Sequence, residues 1–387
     1  MSTPLILSIV AFAIGLLFAL VVGGWREAII AAWPGSPAEV EGTSDELVSL
    51  IVPARDAADT LSPLLQDLHA QQWPRDRIEV IVVDDGSTDR TADIVREMQK
   101  RWSGLVLINA VGAGKKAALT QGVEQARGEW MVITDADARC GPLRVKRIME
   151  YVLGREVDML LMPVETSSSG GVIQRIQADE QTALLGVAAG TALQGRPMLA
   201  NGANMAFRRS AFKALGGYSD DTWASGDDMF LLKRMLKNGR NVAYLLHPDV
   251  VVTVEAEQTF RDFWEQRLRW AGKMRAMGGS GGWLALAGLL FPWFLLYVSL
   301  SFTLLEVMLQ RPLAILLMLS SAWLLWLLPI LALSRSARHL LQTTASRPAR
   351  RGANLTTVFS LFAFSIYAPV IAVASLFVRP RWKGRKI

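Results

Sequence analysis

Hydrophobic and polar positions divide the chain into a polar middle with apolar flanks. Residues 4 to 23 (PLILSIVAFAIGLLFALVVG) carry no charge and have the length of a bilayer crossing, as do 283 to 305, 312 to 333 and 355 to 378. The pattern predicts four membrane segments, one before the polar middle and three after it. The first lacks a basic stretch ahead of it and is long for a signal core, so it is expected to be a retained anchor. Arg26 directly behind it places the start of the chain outside and the middle in the cytoplasm. The basic loop 335 to 353, with Arg335, Arg338, Arg347, Arg350 and Arg351, agrees after two further crossings. The tail RPRWKGRKI disagrees, since a third full crossing would put its basic residues outside. One of the C-terminal segments is therefore expected to be re-entrant or to lie at the interface.

Within the polar middle the pattern changes to short apolar runs separated by helical ones. VSLIVP (48 to 53), IEVIVVDD (78 to 85), LVLIN (105 to 109), WMVITDAD (130 to 137) and DMLLMPV (158 to 164) read as strands. Amphipathic stretches to about 72 and to 101, and from 115 and 142, read as helices between them. Apolar strands without alternation, each followed by a helix, predict an α/β domain with a parallel sheet covered on both faces. Ligands of such sheets bind at the carboxyl ends of the strands.

Composition narrows the class. At 387 residues with 51% hydrophobic content the chain is rich in apolar residues for a soluble protein. The net charge of +6 gathers beside the apolar segments, where anionic headgroups are the natural partner. No basic stripe interleaved with aromatics points to nucleic acid. The lone Cys140 excludes an intramolecular disulfide and reads as a small buried residue rather than a nucleophile. TSSSGG (166 to 171) reads as a loop.

The strand ends carry acids instead of glycine-rich phosphate loops. PARDAA after the first strand has no glycine, which removes the dinucleotide fingerprint, and GAGKKA lacks the spacing and hydroxyl of a P-loop. Asp84 and Asp85 follow the second strand, where an acid can accept hydrogen bonds from a ribose or base; DDGSTD is equally a turn sequence. Asp135 and Asp137 flank Ala136 and leave their turn on similar headings, a geometry that can hold one hard divalent cation with room for diphosphate oxygens. Lys115 and Lys116 open a helix where phosphate could bind, or form a solvated pair. In WASGDDMFLLKR (223 to 234), Ser225 and Asp228 have the spacing of a capping box, Leu231, Leu232, Met235 and Leu236 follow at helical spacing, and Lys237-Asn238-Gly239 reads as a stop. In FRDFWEQRLRW (260 to 270), Gln266, Arg269 and Trp270 share a face distinct from most of the apolar stripe of Phe260, Phe263, Trp264 and Leu268. That face suits a diphosphate and a sugar ring, while the stripe suits a membrane surface. His247 reads as a loop histidine rather than a metal ligand.

The succession IVPAR, VVDDGSTD, GKKAAL, TDADA, GANMAFRR, SGDD and QRLRW, over about 48 to 273, resembles membrane-bound family 2 glycosyltransferases of the GT-A fold. Cellulose, hyaluronan and poly-N-acetylglucosamine synthases and the ceramide-type lipid glucosyltransferases are members. The resemblance implies a Rossmann-like, mostly parallel GT-A domain over 45–275, between an anchor at 1–24 and a membrane region at 281–378 with a basic tail at 379–387. It assigns Pro53, Arg55 and Asp85 to the base and ribose of a nucleotide sugar, UDP-linked in this group, and Lys115 to the diphosphate. It makes Asp135 and Asp137 the D-x-D pair, holding diphosphate through Mg2+ or Mn2+. Gln266, Arg269 and Trp270 become the element that holds the diphosphate and lines the acceptor end.

Asp228 falls at the position of the general base, with Asp227 where the family more often has glutamate. The implied reaction is an inverting displacement at the anomeric carbon, for which no protein nucleophile is needed. Two departures stand out: T-E-D becomes S-G-D-D, and no F-x-V-T-x-K segment follows Q-x-x-R-W. With few membrane segments for a polymer channel, the expected acceptor is a membrane lipid or growing glycan, at the cytoplasmic face of the inner membrane. The alternative within the class is a processive polysaccharide synthase acting as a homo-oligomer. Outside the class stand a non-catalytic nucleotide-binding scaffold, opposed by the intact motifs, and a transporter, opposed by the large polar middle and uncharged apolar segments.

Overall fold

The computed structural model describes residues 3–32, 46–112, 114–168, 170–218, 226–277, 312–342 and 354–378, with short pieces at 304, 308, 381–382 and 385–386. Ser225 and all of the predicted segment 283–305 except residue 304 lie outside the described residues. Helix α1 (Thr3–Ala32) precedes the domain. The strands are β1 (Val48–Ala54), β2 (Ile78–Asp84), β3 (Leu105–Asn109), β4 (Trp130–Ile133), β5 (Arg139–Cys140), β6 (Met159–Leu161), β7 (Val164–Ser167), β8 (Met205–Arg208), β9 (Val242–Tyr244) and β10 (Val252–Glu255). Between them run α2 (Ala58–His69), α3 (Thr91–Gln99), α4 (Lys115–Gln125), α5 (Arg144–Val152), α6 (Val172–Leu193), α7 (Arg209–Ala214) and α8 (Asp227–Lys237). Helices α9 (Phe260–Met277), α10 (Pro312–Gln342) and α11 (Asn354–Ala374) follow.

The main sheet has the order β3-β2-β1-β4-β8-β6-β9. It is parallel except for β8, which runs antiparallel to both β4 and β6. Every residue of β2 and β4 is buried, and all of β1 except Pro53, as expected for strands covered on both faces. One apolar cluster packs α2, α5 and Trp102 on one side of the sheet, and a second packs α4, α8 and part of α6 on the other. Pro53 is tolerated in a central strand because pairing with β4 ends at Ile51, so its missing N–H falls beyond that ladder. The stretch 158 to 164 does not form one strand: it breaks around Pro163 into β6 of the main sheet and β7 of a small sheet, β5-β10-β7. The order reverses direction at β1, whose neighbours are β2 and β4, and this opens the crevice at the carboxyl ends.

Helix α6 joins the sheet to the apolar helices. A Cβ on Gly186 would lie 2.7 Å from Leu333 Cγ, and one on Gly190 would lie 2.9 Å from Trp25 Cα, so both glycines permit close packing of α10 and α1. Its neighbouring acids face charged partners. Asp179 accepts hydrogen bonds from Arg338 of α10 and from Thr357 and Ser360 of α11, the last at 2.8 Å. Arg338, expected in a basic loop, thus belongs to a helix that continues to Gln342. Glu180 is bound by Arg267 of α9, with Nε to Oε2 at 2.9 Å, and by the Tyr367 hydroxyl of α11 at 2.8 Å. Phe263 of α9 meets the Tyr367 ring edge-on at 5.3 Å.

Among the described residues two helical stretches, Phe12–Ala32 and Thr356–Ala374, are long and apolar enough to cross a membrane by length and composition. The second is two-faced in its contacts. Thr357, Ser360, Ile371 and Ser375 are buried and Tyr367 bonds α6, whereas Phe359, Phe362, Ile366, Val370 and Val373 are exposed.

Because Trp25 leaves no room at Gly190, Gly190→Ala is expected to lower stability by about 1–3 kcal/mol, the range for overpacking a close contact. Gly141→Ala, where an added Cβ meets nothing within 4 Å, is the control, and thermal unfolding of the detergent-solubilised chain compares the two.

Candidate active site

One end of the crevice is built by two turns that grip each other. Asp56 adopts φ 44°, a left-handed conformation that aspartate tolerates through local hydrogen bonds. Its carboxylate accepts from the Thr88 N–H at 2.7 Å, while its own N–H donates to Ser87 Oγ at 3.0 Å. Ala58 N–H reaches Asp89 at 2.9 Å, and Asp84 accepts from the Ser87 N–H at 3.1 Å. The turn character of DDGSTD is therefore real and belongs mainly to Asp84 and Asp89. Asp85 instead reaches across to the next helix. Its Oδ1 accepts from the Gly114 N–H at 2.9 Å, and its backbone carbonyl accepts from Arg55 at 3.0 Å. Gly114, at φ 101°, begins α4, so Asp85 fixes where Lys115 stands.

Lys115 and Lys116 then separate. The Lys116 ammonium turns to the Phe230 ring at 4.5 Å, whereas Lys115 enters the crevice. Lys115 Nζ lies 2.6 Å from Asp135 Oδ1 and 3.4 Å from Asp227 Oδ2. Burial opposes its charge, but Asp135 and then Asp227 hold its pKa well above the ordinary lysine value. Gly202 makes this convergence possible: a Cβ there would sit 2.8 Å from Asp227 Oδ2 and 3.1 Å from Lys115 Nζ. It precedes antiparallel β8, which starts at the edge where the parallel strands end.

Asp227 and Asp228 open α8 side by side, both buried. Burial pushes the Asp227 carboxyl up; Lys115 opposes this and the charges of Asp228 and Asp135 add to it. Burial acts the same way on Asp228, yet Lys273 and then Lys115 hold it below the usual carboxylate value, with the Met229 amide assisting. Asp228 accepts from Met229 N–H at 2.7 Å, from Gly202 N–H at 3.2 Å and from Lys273 Nζ at 3.2 Å.

Asp135 and Asp137 lie on the turn after β4, which a buried cation supports from behind. The fully buried Arg144 donates to Thr134 Oγ1 at 2.7 Å and to Asn204 Oδ1 at 2.8 Å, while Asn204 in turn donates to the carbonyls of Pro163 and Val250. Opposite Asp137 stands Glu257, which accepts from Gln266 Nε2 at 2.8 Å. Burial raises the Glu257 carboxyl against the pull of Arg269, with Asp262 and Asp137 adding to the rise. Arg269 is lowered by burial despite Glu257. Arg267, beside the motif residues, donates to Gln266 Oε1 and lies 4.1 Å from the Trp270 ring centroid.

Among the described residues no group of three or more His, Cys, Asp or Glu side chains is assembled to hold a metal. The D-x-D turn offers two hard carboxylates with Asp137 exposed, a donor set that fits a divalent ion taking its other ligands from diphosphate and water. His247 instead closes a tight turn, its Nδ1 accepting from Asp249 N–H at 3.1 Å, and burial lowers its pKa. Burial pushes the Cys140 thiol up, which makes it a poor nucleophile.

The structure thus joins Arg55 to Asp85, Asp85 to the start of α4, and Lys115 to Asp135 and Asp227. It places Gln266 and Arg269 with Glu257, and Trp270 beneath Arg267. Sequence reasoning missed Gly202, Glu257, Arg267 and Lys273. Lys273 had a signal, since it lies seven residues after Gln266 on the same helix face.

A crevice lined with acids at the carboxyl ends of a mostly parallel sheet, entered by a glycine-bounded lysine helix, defines a GT-A type domain. The model of the family described as glycosyl transferase family 2 matches residues 49–216. The beta-monoglucosyldiacylglycerol synthase of Synechocystis sp. is 27% identical over 235 residues, 58% of this chain and 47% of the relative. The poly-beta-1,6-N-acetyl-D-glucosamine synthase of Staphylococcus epidermidis is 24% identical over 237 residues, 60% of this chain and 54% of the relative. The chain spans about half the length of the curated relatives it matches. Among solved structures, the mannosyltransferase PcManGT from Pyrobaculum calidifontis, in complex with GDP-Man and Mn2+, matches with TM-score 0.53 at 20% identity, covering 94% of this chain and 99% of that one. At this identity the likeness is one of fold.

Removing the Lys115 charge leaves Asp135 and Asp227 facing each other, and Lys115→Met is expected to cost about 3–5 kcal/mol of stability near neutral pH. Asp227, already raised, then rises further. Its penalty is present above the raised value and fades as pH falls through it toward the ordinary carboxylate range. Chemical denaturation of both proteins across that acid range checks the sign; a pH-independent difference would contradict it.

Proposed function

We propose that the chain is an inverting, metal-dependent glycosyltransferase that moves a sugar from a nucleotide sugar, UDP-linked by its resemblance, to a hydroxyl of a membrane lipid or growing glycan. One observation carries this reading: two adjacent buried acids with opposite proton preferences open α8 beside Lys115, in the crevice at the carboxyl ends of the sheet. Asp228, favoured as the anion, is the general base. Asp227, with its raised carboxyl, is a supporting acid that helps hold Lys115. Arg55, Asp85 and the edge of Pro53 receive the base and ribose. Lys115, Gln266 and Arg269 face the diphosphate, and Trp270 lines the sugar and acceptor end. Asp135 and Asp137 would hold Mg2+ or Mn2+, which stabilises charge on the leaving diphosphate.

As the acceptor hydroxyl attacks the anomeric carbon, Asp228 takes its proton and the bond to the diphosphate breaks. Lys115 is already fixed where negative charge grows, so the site needs little reorganisation at that moment. The relatives named for a glucosyldiacylglycerol and for a glucosamine polymer support a lipid or glycan acceptor. The exposed apolar faces of α1 and α11 support an integral membrane protein, and Arg26 directly behind the first apolar run supports a catalytic domain facing the cytoplasm. The polar row of α11 turned toward Asp179 and Glu180 favours a helix lying along the membrane face. That arrangement keeps the basic tail on the catalytic side.

Purified protein in lipid is to be incubated with a panel of UDP-sugars and Mn2+, reading UDP release and the mass of the lipid fraction. No release with any donor would reject the reading. Asp228→Asn is expected to reduce transfer ~10²- to 10⁴-fold or more while nucleotide-sugar binding persists. With Cys140→Ser as background, Gly384→Cys tests the tail. It should resist impermeant maleimide until cells are opened; labelling of intact cells would place the tail outside.

A further inference from the structure

The polar face of α9 does not end at Trp270. Lys273 lies seven residues beyond Gln266 and three beyond Trp270, so the same face carries it onward to the base. Its Nζ is 3.2 Å from Asp228 Oδ1 and 3.3 Å from Oδ2. Gly226, at φ 96°, has no side chain, and a Cβ there would come 3.5 Å from Lys273 Cγ and 2.8 Å from the Phe230 ring.

With the amides of Met229 and Gly202 also donating, the Asp228 carboxylate is crowded with donors. Such a carboxylate stays ionised but is a weak base, because each of these donors favours the charged form. It can take a proton from an acceptor hydroxyl only if one donor leaves. The amides are fixed by the backbone, whereas a lysine stem is flexible. Withdrawing an ammonium from its buried partner is costly unless another anion receives it.

In an in-line displacement the base and acceptor stand opposite the leaving diphosphate. The diphosphate side already has Lys115 and the D-x-D turn, and Lys273 touches the acid on the acceptor side. Resting on the glycosyl-transfer reading above, we infer that the acceptor is a glycerophospholipid that carries its attacking hydroxyl beside an anionic phosphodiester, and that Lys273 binds this phosphodiester. On acceptor binding the ammonium passes from Asp228 to the phosphodiester oxygens, and the freed carboxylate oxygen receives the hydroxyl. The hydroxyl oxygen forms its bond to the anomeric carbon and its proton moves to Asp228. The bond to the diphosphate breaks, with its electron pair leaving on the nucleotide.

The full chain in phosphatidylcholine nanodiscs, given phosphatidylglycerol or diacylglycerol as the hydroxyl lipid, tests this. Both offer a glycerol hydroxyl and only the first carries a phosphodiester beside it. Wild type is expected to favour phosphatidylglycerol in kcat/KM by about tenfold or more, the scale of one charge-assisted hydrogen bond. Lys273→Gln should lose that preference through a raised KM for phosphatidylglycerol, with UDP affinity by calorimetry unchanged, and Lys273→Arg should keep part of it. Equal or better transfer to diacylglycerol by wild type would overturn the inference and leave the proposed function standing. Weakened UDP binding in Lys273→Gln with the lipid preference intact would assign Lys273 to the diphosphate and also overturn it. No transfer to either lipid, with nucleotide-sugar binding intact, would overturn the inference, while the proposed function stands or falls on UDP release across the donor panel.

Discussion

The Lys115 ammonium, set between Asp135 and Asp227, is the contact on which the rest of the site depends. The topology brings the D-x-D turn and the start of α8 to one edge of the sheet, where the half-buried Asp135 and the buried Asp227 and Asp228 gather like charges that repel. Lys115 offsets that repulsion, and its position is inherited from elsewhere in the chain. Asp85 holds the Gly114 amide, Gly114 sets the first turn of α4, and that turn delivers the lysine. Gly202 completes the arrangement by contributing no side chain. The residues assigned to ribose and those assigned to proton transfer are thereby parts of one electrostatic unit.

A second ion pair ties that unit to the apolar helices. Arg267 and Glu180 are both buried, a pairing whose desolvation offsets much of its attraction, so its value lies less in stability than in register. Arg267 also touches Gln266 and Trp270, and Tyr367 of α11 shares the same Glu180 oxygen. The element that closes the crevice is therefore aligned by a side chain of an apolar helix. Asp179, the preceding residue, fastens α10 and α11 to the same turn of α6. Two consecutive acids thus set the catalytic domain against helices whose other faces are apolar.

Strands β1, β2 and β4 were legible because a strand buried on both faces must be a continuous apolar run, and the acids after β2 and β4 are conspicuous behind such runs. β8 was not: Met205–Arg208 is four residues long, and its direction is set by its neighbours β4 and β6 rather than by its own pattern. The run 158 to 164 looked continuous because Pro163 divides two sheets that are both apolar there. Among the site residues, the D-x-D pair and the Q-x-x-R-W face carry local spacing that chemistry recognises. Glu257, Arg267 and Gly202 act through partners distant in sequence or through the absence of a side chain, and no local pattern reports either. Lys115 and Lys116 make the point within one dipeptide, since only the fold decides which ammonium meets a carboxylate and which meets a phenyl ring.

The S-G-D-D sequence is where the chain departs from the pattern it resembles, and the structure gives the departure a physical reading. Asp227 and Asp228 share a helix start, so the helix dipole favours both anions and cannot separate them. Their neighbours do. Asp228 receives two amides and the Lys273 ammonium, while Asp227 has Lys115 at a longer distance and two acids nearby. The glycine before them, Gly226, borders this contact: a Cβ there would meet Lys273 Cγ at an ordinary 3.5 Å but the Phe230 ring at 2.8 Å. A larger residue there would have to adopt its φ of 96° and fit against the Phe230 ring. The Lys273 ammonium reaches Asp228 and not Asp227, and this pairing favours Asp228 as the carboxylate that stays ionised.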